Sequence, residues 1–191
     1  MSDFALYFNT GWQHIISWDA LDHILFLVAL AAIYNVQNWK QVLVLVTAFT
    51  IGHSLTLVLS VNDVIRFNTS WLEFLIPCTI VATALFNLLV RDFRPVSLRL
   101  NYLLALLFGL IHGMGFANTI RYMLASDQTI AVPLLSFNIG LEAGQIVIVA
   151  LILLANYLIV TRAGIERRWW VWALSAVTGA VALKMAIERW P

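Results

Sequence analysis

The sequence predicts an all-α polytopic membrane protein, a bundle of six transmembrane helices. The chain has 191 residues, of which 62% are hydrophobic and only 11% are charged, whereas a soluble domain is about 25% charged. Its mean hydropathy of +0.89 indicates that it has too few polar residues to form the surface of a water-soluble protein. Six apolar stretches each approach the roughly 20 residues that a helix needs to cross a bilayer core. We therefore predict one transmembrane domain over residues 1–191.

The predicted helices are joined by short polar connections and cover residues 11–34, 40–61, 71–90, 100–117, 132–160 and 169–187. The first is polar in its opening half, "HIISWDALDH", and the second contains "GHSLT". The third opens with Ser70 and Glu73 in a capping-box pattern. The fourth and fifth carry glycines that permit close helix approach, and the sixth begins among tryptophans typical of a membrane interface. The amphipathic segment 3–10 is expected to lie on the membrane surface.

Charge and cysteine content narrow the possible partners and covalent links of the protein. The net charge of +1 gives no basis for a nucleic-acid partner, and the single cysteine, Cys78, excludes an intrachain disulfide. Most of the 11 lysines and arginines fall in the connections of one face, which the positive-inside rule makes cytoplasmic. We expect both termini on the outer side of the membrane, which is the periplasm if the cell has one. We expect membrane lipid to surround the protein. The sequence is also compatible with a homo-oligomer or with a larger membrane complex.

Alternating helix directions place polar residues from five helices at one depth, in the outer half of the bundle. Ionised groups at this depth cost several kcal/mol unless they are paired. A divalent cation would neutralise carboxylates and use neutral imidazoles as ligands, which favours nickel or zinc over magnesium or calcium. The predicted metal ligands are His14, Asp22, His23, His53, His112 and Glu142. The residues predicted to support them are Asp19, Glu73, Ser54 and Asn138.

Structural roles compete with these assignments. A single membrane histidine often makes only a helix–helix hydrogen bond. Glu73 fits a helix cap, Asp19 fits a water-exposed rim, and the Ser54 hydroxyl fits a bond to the preceding helical turn. The convergence of all four histidines, rather than any one of them, predicts a metal or proton site.

Four motifs in order, "GWQHIISWDALDHILFLVAL", "VTAFTIGHSLTLVLS", "FGLIHGMGFAN" and "FNIGLEAGQ", resemble the HupE/UreJ family, in particular its second branch. The resemblance implies a six-helix protein of the bacterial inner membrane, with the termini on the periplasmic side. Relatives are linked to nickel uptake and have histidines and carboxylates as functional residues. His14, Asp22 and His23 match the family's first-helix signature, and His112 and Glu142 fall in segments that resemble its later motifs. The chain departs from the pattern of the family's nickel permeases in two ways. The spacing from His14 to Asp22 is longer by about two residues, and the segment "HGMGFAN" lacks the second histidine of that pattern.

Three functions remain open at this point. The favoured one is a metal-ion permease or accessory uptake protein that captures a first-row divalent cation. The second is a membrane-embedded metal-dependent hydrolase or transferase acting on a lipid or lipoprotein, with Glu142, Asp22 or Ser54 as catalytic candidates. The third is a structural bundle that holds metal for stability. The inner half offers few ligands, so no exit route for a transported ion is evident from the sequence.

Overall fold

The computed structural model describes residues 2–89, 98–123 and 130–191, without the side chains of residues 19, 98–100, 118–119 and 121–123. These parts of the chain are mostly helical and contain no strand. The helices are α1 (Asp3–Ile16), α2 (Leu21–Ala31), α3 (Trp39–Val61), α4 (Thr69–Leu89), α5 (Leu98–Met123), α6 (Ala131–Asn156) and α7 (Arg167–Glu188). A π-helical turn, Tyr157–Arg162, extends α6.

The first predicted helix is two helices. The chain turns at Ser17, makes a 3₁₀ turn at Trp18–Ala20 and continues as α2, bent by 67° from α1. The segment 3–10 forms the first half of α1, and its Tyr7 is only 2% exposed. Glycines explain this burial: they let α1 lie directly against α6.

Three close helix pairs build the bundle: α1 with α6, α3 with α5, and α4 with α7. In the first pair, a β-carbon at Gly11 would overlap the carbonyl of Phe137, and one at Gly140 would overlap the carbonyl of Phe8. In the second, Gly52 faces Leu106 and Gly109 faces Phe49 in the same way. Small residues at these contacts allow backbones to approach to distances that larger side chains forbid.

The outward faces of the helices are apolar, as expected for contact with lipid. Ile51, Leu151 and Val177 are more than half exposed, at 57%, 61% and 62%. Within the described residues, four helices are long and apolar enough to cross a membrane, or five if α1 and α2 form one broken span. A shorter apolar stretch, Asn101–Ala117, lies within α5. The chain is therefore an all-helical protein with four to five membrane-span candidates.

The start of α4 also differs from the predicted capping box. The helix begins at Thr69, and the side-chain oxygen of Asn68 accepts a hydrogen bond from the Ser70 N–H at 2.9 Å. Asn68 therefore caps the helix in the place predicted for Ser70. An asparagine is as good an N-cap as a serine, so the sequence pattern alone did not separate the two.

Candidate metal centre

The four histidines of the chain meet inside the bundle, each supplied by a different helix. His14 lies in the last turn of α1, His23 in the first turn of α2, His53 on α3 and His112 on α5. The ring centroids of His14 and His23 are 4.7 Å apart, and those of His23 and His112 are 4.9 Å apart. The break between α1 and α2 places the first two rings side by side. The predicted convergence of the histidines is thus present in the structure.

Three of these rings are close enough together that they could hold a metal ion. His14, His23 and His53 each offer one nitrogen, and these atoms all lie within 4.8 Å of one another. In a tetrahedral zinc site with metal–nitrogen bonds of about 2.1 Å, ligand atoms are roughly 3.4 Å apart. The three rings would have to approach one another slightly to reach that spacing. The donor set therefore fits a first-row divalent cation.

Hydrogen bonding identifies which nitrogens are available. Within the described residues, five buried ring nitrogens lack a hydrogen-bond partner: His14 Nε2, His23 Nε2, His53 Nδ1, His53 Nε2 and His112 Nδ1. A buried polar group without a partner costs about 1–3 kcal/mol. Because each neutral imidazole has one lone pair, the four rings offer at most four lone pairs to a ligand.

The tautomers of two rings follow from their neighbours. Asp22 Oδ1 lies 2.9 Å from His23 Nδ1, and because a carboxylate only accepts, His23 carries its proton on Nδ1. Thr79 donates its hydroxyl proton to the Ile76 carbonyl at 2.7 Å and lies 3.4 Å from His112 Nε2. Thr79 thus accepts from that nitrogen. Both rings therefore present an unprotonated nitrogen, the one without a partner, for binding a cation.

Asp22 contacts the Nδ1 side of the His23 ring, so the Nε2 atom of that ring is left for a cation. Its Oδ1 accepts from the His23 backbone N–H at 2.8 Å and contacts His23 Nδ1, while Oδ2 lies 3.4 Å from an Arg189 nitrogen. Carboxylates that hold a metal-binding histidine in this way set its tautomer and orientation. Arg189, at the end of α7, in turn balances the charge of Asp22.

The variant Asp22→Asn should weaken metal binding by about 10–100-fold, the usual effect of changing such an outer partner. The amide loses the negative charge but keeps an oxygen that can still accept from His23. Binding should therefore lie between that of the wild type and that of His23→Ala, as measured by competition with a chelator of known affinity. An Asp22→Asn variant as defective as His23→Ala would instead make the carboxylate a direct ligand.

Phenylalanines enclose the rings on their other sides. The Phe116 ring centroid lies 3.9 Å from that of His14, and Phe49 lies 5.2 Å from His112. Phe137 is 6.2 Å from His53 and nearly parallel to it. On these sides the imidazoles therefore face apolar rings rather than polar partners.

A cavity of about 300 Å³ reaches the imidazoles from one end of the bundle. Its wall carries three of the histidines together with acidic and basic groups: His14, Ala20, Asp22, His23, Glu73, Ile76, His112, Gly115, Phe116 and Arg189. Glu73 is exposed at the mouth. His53 lies behind the cavity and is completely buried. The site is thus deep, open on one side and acidic at its entrance.

Comparison with known families agrees with this architecture. The family model described as "HupE / UreJ protein" matches residues 1–190. The chain belongs to the HupE/UreJ family. Comparisons of this HupE/UreJ protein with curated proteins and with solved structures give no match.

Three further predicted site residues of this HupE/UreJ protein, Glu142, Ser54 and Asn138, make hydrogen bonds outside the histidine group. Glu142 accepts a hydrogen bond from the Thr47 hydroxyl at 2.6 Å and is not among the described residues that line the cavity. Ser54 donates to the Thr50 carbonyl at 2.6 Å, and the Asn138 amide donates to the Leu134 carbonyl at 2.8 Å. The side chain of Asp19 lies outside the described part of the chain.

Sequence reasoning missed Thr79 and Arg189 as parts of the site. Thr79 sits in an apolar stretch of α4 where threonine usually bonds only to its own helix. Arg189 entered the sequence analysis only as one of the lysines and arginines that predict orientation. Its predicted position in the outer half of the bundle was the signal that could have identified it. Only the packing of α4 and α7 against α2 brings both residues to the histidines.

Proposed function

We propose that this protein takes up a first-row divalent cation across the membrane, with nickel or cobalt as the principal cargo. The HupE/UreJ family is a membrane family related to nickel and cobalt uptake. The observation that carries the proposal is the group of five buried imidazole nitrogens without hydrogen-bond partners among the described residues. In this proposal the ion is cargo, so the site must bind it and then release it.

The donor set supports this class of cargo. Imidazole suits nickel, copper, zinc and iron, whereas magnesium and calcium prefer oxygen ligands. His14, His23 and His53 form the first ligand group, and His112 stands beside His23 as the fourth. Glu73 and Asp22 make the cavity acidic, which attracts cations to its mouth. Arg189 limits that attraction by neutralising Asp22.

We also propose six membrane spans in an inner membrane, with the cavity and both termini on the outer side. The bent pair α1–α2 is one span, α5 is another through its apolar stretch Asn101–Ala117, and α3, α4, α6 and α7 complete the set. Broken helices commonly form ion sites in transporters, because their ends carry side chains and backbone groups to the middle of a bundle. The break between α1 and α2 supplies His14 and His23 in this manner.

Uptake into vesicles tests the proposal directly. Purified protein in proteoliposomes should accumulate nickel or cobalt in a saturable manner, and empty liposomes provide the baseline. The variant His23→Ala should reduce uptake to that baseline. Tight metal binding without accumulation, in vesicles shown to contain protein in both orientations, would contradict transport and favour a structural metal.

Glu142→Gln tests whether the carboxylate of α6 binds the ion. Because Glu142 is hydrogen-bonded to Thr47, we expect the variant to retain metal at the wild-type stoichiometry in elemental analysis. The matched change Thr47→Val, which removes only the hydroxyl partner, should behave alike. A large loss of metal in Glu142→Gln, but not in Thr47→Val, would assign Glu142 to the ligand set.

One observation favours metal-dependent hydrolysis as a second candidate. The cavity places the carboxylate of Glu73 on the same wall as three histidines, where a metal-bound water would have its pKa lowered toward neutrality. Ser54 gives no support to a serine mechanism, because its hydroxyl is bound to its own helix. Release of fatty acid or lysolipid from the vesicles, lost in Glu73→Gln, would favour this function over transport.

A further inference from the structure

Glu142 is a carboxyl group in the membrane-spanning part of the bundle that the histidine site does not use. Its Oε1 atom accepts a hydrogen bond from the Thr47 hydroxyl at 2.6 Å. Thr47 lies near the middle of α3, and His53 is about 9 Å further along the same helix at roughly 1.5 Å per residue. Glu142 therefore lies between one and two helical turns away from the imidazoles rather than among them.

The Glu142–Thr47 pair lies at the edge of the contact between α3 and α6 that faces lipid. Thr47 is exposed and Glu142 is half-buried. Exposed apolar residues lie one turn before and one turn after each of them: Val44, Ile51, Ile139 and Ile146. The carboxyl group therefore interrupts an outer surface that is otherwise apolar.

Within the described parts of the chain, Glu142 has no cationic partner. The elements in closest contact with α6 are α1, α2, α3, the 3₁₀ turn Val36–Asn38 and the π-helical turn. Their titratable side chains are those of Asp3, Tyr7, His14, Asp22, His23, Lys40, His53, Tyr157 and Arg162. None of them forms an ion pair or a hydrogen bond with Glu142 among the contacts of the described residues.

The protonated form of Glu142 suits these surroundings. An ionised carboxylate at membrane depth is energetically costly unless a charged or strongly polar partner balances it, and one hydroxyl group is a weak partner. The neutral acid avoids this cost and keeps the hydrogen bond from Thr47 to Oε1. Its proton then resides on Oε2.

The boundary between α3 and α6 is a place where helices can move. The glycines that lock the bundle point elsewhere: Gly52 of α3 faces α5, and Gly140 and Gly144 of α6 face α1. Between α3 and α6, Thr50 donates to Gln145 Oε1 at 2.9 Å, while Gln145 Nε2 is buried without a partner among the described residues. Side-chain hydrogen bonds of this kind break more readily than interlocked backbones separate.

The histidine site spans the same boundary. α6 belongs to the α1–α6 pair, and α3 belongs to the α3–α5 pair. His14 is on α1 and His53 is on α3, so a cation bound by both would join the two pairs. A movement of one pair against the other would therefore change the imidazole site and the surroundings of Glu142 together.

We infer that Glu142 is a proton-binding site, and that it exchanges its proton when the α1–α6 pair moves against the α3–α5 pair during cation uptake. The second part depends on the transport function proposed above. When the boundary opens, water takes the proton from the carboxyl oxygen and leaves a carboxylate; closure returns a proton to it. A bound cation holds His14 beside His53 and so keeps the boundary closed. Cation binding and proton exchange are thereby coupled, and such coupling is reciprocal.

Dicyclohexylcarbodiimide, a lipid-soluble reagent that adds to protonated carboxyl groups, tests the proton site directly. In proteoliposomes at neutral pH it should modify Glu142, as located by peptide mass spectrometry. The modification should decline as the pH rises, because the ionised carboxylate does not react. Glu188, exposed at the end of α7, is the internal comparison and should stay unmodified.

Variants and a second reagent control this experiment. Glu142→Gln should remove the modification, whereas Glu142→Asp, which keeps a carboxyl group, should retain it. An unmodified Glu142 in the wild-type protein at neutral pH would overturn the inference. Modification only by a charged, water-soluble carbodiimide would also overturn it, because the carboxyl group would then face water.

Nickel tests the coupling between the two sites without relying on transport. Saturating nickel should slow the carbodiimide modification of Glu142, because the bound ion holds α1 and α3 together. In His53→Ala the modification should persist, but nickel should no longer slow it. An unchanged rate in the nickel-loaded wild-type protein would overturn the coupling.

Uptake measurements separate this inference from the proposed function. Glu142→Gln resembles the protonated acid but cannot release a proton, so it should retain metal while its nickel or cobalt uptake falls to the baseline of empty liposomes. Thr47→Val keeps the carboxyl group and should keep uptake that depends on pH. Full uptake in Glu142→Gln would overturn proton exchange. A wild-type protein without uptake would overturn the transport function, and the carbodiimide result would still decide the proton site.

Discussion

Replacing His53 with alanine should weaken metal binding by about 100-fold or more, a larger effect than that of an outer partner. His53 is completely buried, and both of its ring nitrogens lack partners within the described structure. Its ring lies 6.0 Å from that of His14 and 6.2 Å from that of His23. Its removal leaves only two rings of the group His14, His23 and His53.

Elemental analysis of the purified variant, followed by competition with a chelator, measures this effect. Leu57→Ala is the matched control, because Leu57 is equally buried one turn further along α3. Its truncation should cost about 2–5 kcal/mol of stability but leave the metal stoichiometry unchanged. Metal retention at the wild-type level in His53→Ala would contradict the imidazole site.

The same position gives an unusual stability prediction. In metal-free protein the imidazole of His53 is a buried polar group without partners, which costs about 1–3 kcal/mol. The variant His53→Leu should therefore melt at or above the temperature of the metal-free wild type, while it no longer gains stability from added nickel. A clear destabilisation of the metal-free His53→Leu protein would show that the ring has hydrogen-bond partners in solution.

The second large effect is expected at Gly109, where α5 lies against α3. A β-carbon there would overlap the backbone carbonyl of Phe49. Overpacking of a core costs about 1–3 kcal/mol and sometimes more, and here the obstacle is backbone on a helix that is itself held by Gly52. Gly109→Ala should therefore separate α3 from α5 and sharply lower the yield of folded protein.

Thermal unfolding in detergent, monitored by size-exclusion chromatography, checks this prediction. Gly115→Ala, on the same helix, is the control, since the nearest atom to its new carbon is the flexible end of Ile76 at 3.0 Å. That change should be tolerated. Equal stability of the two variants would mean that α3 and α5 do not pack as closely as the structure shows.

The sequence alone predicted the membrane class and the layer of histidines. Both depend on coarse properties: apolar length decides whether a segment can span a bilayer, and alternating directions place residues at a common depth. It did not predict the break after Ile16. Apolar periodicity continued through that segment, while the burial of Tyr7 against α6 decided that residues 3–10 fold as part of α1.

The roles of individual side chains were harder to predict from the sequence than their positions in the bundle. Sequence spacing allowed Asp22 and Glu142 equally as ligands. The structure shows Asp22 directed at His23 Nδ1 and Glu142 bonded to Thr47. A rotation of a side chain by one rotamer decides such contacts, and spacing along a helix contains no information about it.

Hydrophobicity and spacing by themselves determined that this chain enters a membrane and that its imidazoles share one level of the bundle. Only the tertiary structure decided which nitrogens face one another and which carboxylate supports them. The physical reason is that these features arise from contacts among α1, α2, α3 and α5, most of which are distant from one another in sequence. Their close approach depends on backbone geometry that no single segment encodes.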